Sequence, residues 1–204
     1  MPPALDEFRA SLEIAQALLN LEAAHEDPPP LEFESIVKGL RGGATVLMVA
    51  AFEEYLSAMF REHLDRLDGV PPPVALSGLP DIMQVTSIFT SLNRALAGPR
   101  YTETEKKDRL QGIHAAAQRL AEDRVDPSSM SEAANNPDAK SVTALFKGIG
   151  RSKIFEDVTP KYETKVGHVT NVGDRLNSIV LKRHGVAHTG AKDALNIGRK
   201  DLVS

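Results

Sequence analysis

Residues 181–190 read LKRHGVAHTG, and within them the hexapeptide RHGVAH places Arg183, His184 and His188 in about one and a half helical turns. Three chemistries suit these residue types at this spacing. Cationic side chains in the last turn of a helix stabilise its negative end, with Gly185 or Gly190 supplying the left-handed residue that closes it. His184 and His188, four apart, share a helix face and could ligate a metal. Gly185 stands where the glutamate of an H-E-x-x-H site would be, so third ligands would have to come from His63, His114, His168 or a distant carboxylate. In the third chemistry Arg183 and His188 cleave a phosphodiester. Imidazole titrates near neutrality and can move a proton, and guanidinium presents a charged fork to phosphate oxygens. Five residues apart on an ideal helix, they project about 140° from each other. They converge only if the helix bends or ends between them, and Gly185 is the place for that.

Other candidates are weaker. His114 sits on an alanine-rich face, Ser128-Ser129 lies in a loop without a nucleophile motif, and Gly148 and Gly150 lack the lysine and serine of a phosphate loop.

The elements that must position the motif are helical. Leu5, Phe8, Leu12, Ala15 and Leu19 form one apolar stripe, and the Asp27–Pro30 run DPPP is expected to end that helix. A longer helix is expected from about Leu40 through Leu67, its wide apolar face made by Leu47, Ala51, Tyr55 and Met59 with Met48, Phe52, Leu56 and Phe60. Gly42 and Gly43 either admit a close neighbour or mark a break. Residues 69–80 read as a loop, and Ile82 to Leu96 as a third helix. Thr102 and Glu105 have capping-box spacing ahead of a fourth helix through Leu120. After a polar loop over 126–138, Asn136-Pro137 suits the start of a short helix carrying Val142, Leu145, Phe146 and Ile149. A stretch punctuated by Gly and Pro follows, then a last helix from about Asn171 with Leu176, Ile179 and Val180 inward. No useful period-2 alternation and no repeat occurs.

The 204 residues suit one sizeable domain, and 42% hydrophobic with 25% charged residues is globular composition. No apolar run approaches the roughly 20 residues that span a bilayer, and the N-terminus lacks a basic leader, so a cytoplasmic protein with no membrane association is expected. Cysteine is absent, which excludes disulfides and thiolate metal sites. The net charge of −4 predicts no general affinity for nucleic acid. Residues 181–204 depart from that balance, with Lys182, Arg183, Lys192, Arg199 and Lys200 against Asp193 and Asp201. Such a patch either binds a phosphate or is simply a solvated basic tail.

Arg183, four intervening residues and His188 resemble the R-x4-6-H signature of the HEPN superfamily, with His184 at a position that is often Asn. Val46 to Phe60, VLMVAAFEEYLSAMF, is similar to the long central helix of RiboL-PSP-HEPN proteins, and Asn136 to Gly150 to the segment before their motif helix. The resemblance spans roughly 40–190; family members often continue into another helix where this chain has only DALNIGRKDLVS. The helical period itself gives a helical bundle with long connections, one domain over 1–204 with 69–140 as elaboration on a four-helix core, and the resemblance makes this an all-α, HEPN-like bundle with extra helices. The resemblance also implies a metal-independent endoribonuclease of a defence, toxin–antitoxin or stress system, acting by 2′-hydroxyl attack without a cofactor. His188 would move the proton, Arg183 would stabilise transition-state charge, His184 would contact phosphate or share the proton work, and Glu53 in FEEY would orient Arg183 or His188. A solvated helix carboxylate is the plain alternative for Glu53. The implied partners are RNA, a second copy in a homodimer, and an antitoxin or other protein. The alternative is a non-catalytic HEPN module that binds RNA, nucleotide or a protein partner.

Overall fold

The computed structural model describes residues 2–96, 102–126 and 136–189. The 128–129 serines, Gly190 and the charges of 192–201 lie outside them. Among the described residues there are seven α-helices and no strand: α1 (Pro3–Glu22), α2 (Glu34–Gly69), α3 (Asp81–Leu96), α4 (Glu103–Ala121), α5 (Ala139–Gly148), α6 (Ile154–Val166) and α7 (Val172–Thr189). An antiparallel bridge joins Ala75 to Arg124. The all-α architecture is therefore as expected.

Several boundaries differ from expectation. α1 stops at Glu22, short of the proline run, with the Ala23 amide bonding back to the Leu19 carbonyl. α2 begins at Glu34, one and a half turns before Leu40, and runs through Gly42 and Gly43 without a break. Gly43 faces a close neighbour, since a Cβ there would lie 3.4 Å from Leu18 Cδ1. The punctuated stretch after α5, to which no element is assigned from the sequence, contains α6 with Pro160 inside it. Proline removes one ladder bond, and here its own carbonyl accepts from Thr164 Oγ1 at 2.8 Å. α5 starts at Ala139 rather than Pro137, because Asp138 is the cap: its Oδ1 accepts from the Ser141 amide at 2.7 Å. By length and composition α2 could cross a membrane, since it contains an 18-residue window of mean hydropathy 1.3, although its longest apolar run ends at Glu53. The central helix of a bundle has the same composition, and Val37, Ala44, Val49, Leu56, Phe60 and Leu64 of α2 are buried.

The chain forms two compact units. Among the described residues the first comprises 2–55, 136–142 and 155–189. In it α1 packs on α2: Phe8 stacks on Tyr55 with ring centroids 4.8 Å apart and lies 6.3 Å from Phe52. A buried ion pair fixes the same two helices. Arg41, 2% exposed, donates from Nε and Nη2 to Glu22 Oε1 at 2.9 and 2.6 Å, and from Nη2 to Asp27 Oδ1 at 2.9 Å. Burial works against the charged guanidinium, but its bonds to Asp27 and Glu22 and their charges outweigh it and raise the Arg41 pKa. Elsewhere in this unit Arg175 Nη1 donates to the Tyr162 hydroxyl at 3.2 Å, tying α7 to α6.

The second unit comprises residues 56–126 and 143–154 among those described. Phe60, Leu64, Met83 and Val125 form its core, with Leu145 and Phe146 packed against them, Phe146 edge-on to Phe60 at 5.2 Å. The expected capping box is present: Thr102 Oγ1 accepts from the Glu105 amide, and Glu105 Oε2 accepts from the Thr102 amide. Asp68 accepts from Arg119 and from both ends of the Arg124 fork, at 2.8 to 3.1 Å. Arg119 chiefly, against the effect of burial, and then Arg124 hold the Asp68 carboxyl below its ordinary pKa.

Candidate functional site

The motif helix α7 is built at its N-terminus by Asn171, whose Oδ1 accepts from the Asp174 amide at 3.2 Å, three residues on. Val180 is buried and Leu176 and Ile179 are half-buried, as the apolar period requires. Close approach of the neighbouring chain is allowed at Gly173, where a Cβ would touch Ala139 Cβ at 3.5 Å and Phe155 Cγ at 3.7 Å. The start of α5 is pinned to α7 by Asn177, whose Oδ1 accepts from the Ala139 amide at 2.8 Å.

α7 does not end or break at Gly185; it continues as α-helix to Thr189. Gly185 is therefore neither the hinge nor the closing glycine expected of it. On an unbroken helix at about 100° per residue, Arg183 and His188 remain about 140° apart, whereas His184 and His188 lie about 40° apart. The side chains follow that geometry. Arg183 is half-buried and donates from Nη1 to Asn136 Oδ1 at 3.1 Å. Its Nε is buried and has no hydrogen-bond acceptor. His184 and His188 are exposed, their ring centroids 4.2 Å apart with the planes at 53°. Leu181, 71% exposed, is three and seven residues before them and lies on the same outward face.

Glu53 of α2 is half-buried and close enough to Arg183 to feel its charge. Burial raises the Glu53 pKa above the ordinary glutamate value, Arg183 opposes the rise, and neighbouring Glu54 adds to it. The structure thus places Glu53 within electrostatic reach of Arg183 and the His184 ring against that of His188, while unbroken α7 directs Arg183 and His188 about 140° apart. Among the described residues no group of three or more His, Cys, Asp or Glu side chains could hold a metal ion, so no third ligand joins the histidines. His114 is exposed on α4.

Asn136 is the residue that sequence reasoning placed elsewhere. It looks like a helix cap, but Asp138 takes that role and Asn136 holds Arg183, 47 positions along the chain. No local signal marks such a contact.

The family model RiboL-PSP-HEPN matches residues 9–204. The chain belongs to the RiboL-PSP-HEPN family. No curated protein and no solved structure matches it. The RiboL-PSP-HEPN match is wider than the 40–190 expected, taking in most of α1 and the C-terminal residues. As a RiboL-PSP-HEPN module the chain presents Glu53, Asn136, Arg183, His184 and His188 within one compact unit.

Proposed function

We propose that this HEPN module is a metal-independent endoribonuclease of a defence, toxin–antitoxin or stress system, and that it works as a homodimer on RNA. The observation that carries the reading is Arg183. It is held at one end by Asn136 and keeps a buried Nε without an acceptor, one residue from His184 and five from His188. One bond to Asn136 leaves other donors of this half-buried guanidinium fork for phosphate oxygens. In the reaction the RNA 2′-oxygen bonds to the adjacent phosphorus and the bond from phosphorus to the 5′-oxygen breaks. One imidazole accepts the 2′ proton and one returns a proton to the leaving oxygen. The guanidinium stabilises charge on the phosphoryl oxygens as it builds. His188 is the proton carrier, His184 shares the proton work or binds phosphate, and Glu53 sets the electrostatics of Arg183.

The purified chain incubated with RNA should give 2′,3′-cyclic phosphate and 5′-hydroxyl ends, equally in EDTA. Cleavage abolished by EDTA and restored by zinc or manganese would replace this reading with a metal-dependent one. RNA bound but not cut would favour the non-catalytic module, a reading that the divergence of Arg183 and His188 on unbroken α7 supports.

That divergence also motivates the dimer. Two proton transfers and a guanidinium converge most simply when a second α7 faces the first, and exposed Leu181 beside the histidines is apolar area available for that contact. Light scattering at tens of micromolar should give twice the chain mass, and Leu181→Asp should return the monomer mass. A monomeric wild type removes the composite site.

A further inference from the structure

We propose that His184 and His188 are a chelating pair for a borderline divalent cation of the zinc type, and that filling the pair switches the site off. The two imidazoles are four residues apart on a helix that runs unbroken past both, so their backbones are held at a fixed separation. Their centroids are 4.2 Å apart, tilted at 53°, and both rings are exposed. Zinc binds imidazole nitrogen at about 2.0–2.1 Å, a geometry that two rings this close reach by side-chain rotation alone. Imidazole suits zinc, nickel and copper, whereas magnesium and calcium prefer oxygen. Once one ring is bound, the second binds intramolecularly, which is the chelate gain.

The absence of a third protein ligand among the described residues decides what kind of site this is. With two nitrogens from the protein, the cation keeps solvent positions. Binding is then reversible and is not needed for folding, unlike a closed four-ligand zinc. Gly185 follows His184 where a metallohydrolase would carry its glutamate base, so the pair is not arranged to activate water. What the cation does instead follows from the ligand atom. Coordination uses the neutral imidazole lone pair, and a coordinated nitrogen cannot accept a proton. A bound cation therefore withdraws His188 from proton transfer. The chelation stands on geometry alone, and the switch rests on the endoribonuclease reading.

The test uses the full, tag-free chain and Zn2+ or Ni2+ alone, by titration calorimetry. Wild type should bind one cation per chain. His184→Asn and His188→Ala should each weaken binding by about tenfold or more, a loss of about 1.4 kcal/mol per decade. His114→Ala, on α4, should bind as wild type does. Absence of binding at submillimolar cation, or unchanged binding in His184→Asn, overturns the chelating pair. In the second arm, RNA cleavage by wild type should fall over the Zn2+ range that fills the site and return on adding EDTA. Zinc bound without loss of cleavage overturns the switch. A wild type that cuts no RNA overturns the endoribonuclease reading, while the calorimetry still decides the chelating pair.

Discussion

His188→Ala should lower RNA cleavage by on the order of a hundredfold or more while leaving thermal melting where it is. The magnitude is that of a lost proton-transfer group. The unchanged melting follows from exposure: His188 stands on the outer face of α7, so truncating it removes little buried area. Replacing Arg183 by Lys should be comparably damaging, because a single ammonium cannot hold Asn136 and offer a second donor to phosphate as the guanidinium does. The two variants differ in a way that helps the reading. Arg183 is half-buried, so its replacement is allowed a small melting change, whereas His188→Ala is not. The measurement is initial cleavage rate for wild type and both variants beside their melting curves. Wild-type cleavage by His188→Ala, or a melt several degrees lower, would make His188 a helix-end cation and nothing more.

The largest effect on stability should come from Arg41→Met. The substitution keeps most of the side-chain volume but leaves Glu22, fully buried, without its guanidinium. Removing one partner of a buried pair costs about 3–5 kcal/mol, on the order of 10 °C in melting temperature for a chain of this size. The salt bridge to Asp27 adds less, because Asp27 is 42% exposed and solvent screens it. Converting both partners, as Glu22→Gln with Arg41→Met, should recover part of the loss, since an uncharged pair has less desolvation to offset. Urea unfolding of the two proteins checks this. A single variant as stable as wild type would mean that α1 and α2 are held by packing at Leu18, Gly43 and the Phe8 stack without help from the ion pair.

What could be read from the sequence was what repeats along one helix. The apolar stripes of α1 and α2, the Thr102 capping box and the start of α7 all rest on spacings of three and four residues. The motif segment and the FEEY helix sufficed to indicate the family. α6 was hidden by Pro160 inside it and by glycines on either side. Gly150 and Gly167 do end helical segments in the left-handed region, at φ of 81° and 77°, so the punctuation was real but bracketed a helix. Gly185 misled in the opposite sense. A glycine costs about 1 kcal/mol in a helix interior, and packing around Val180 and the Arg183 bond can offset that. Asn136 and the Arg41–Glu22 pair were invisible because their partners lie 47 and 19 residues away on other elements, where no periodicity reaches.

An unbroken α7 has a consequence for dosage. If Arg183 and His188 must come from different chains, a solitary chain is inert, and activity depends on how often two copies meet. Below the dissociation constant for pairing, the active species grows with the square of the chain concentration. Basal synthesis would then be harmless to the cell's own RNA, while a tenfold induction would raise cleavage about a hundredfold. The response threshold would be set by an affinity between two identical helices, without a dedicated sensor.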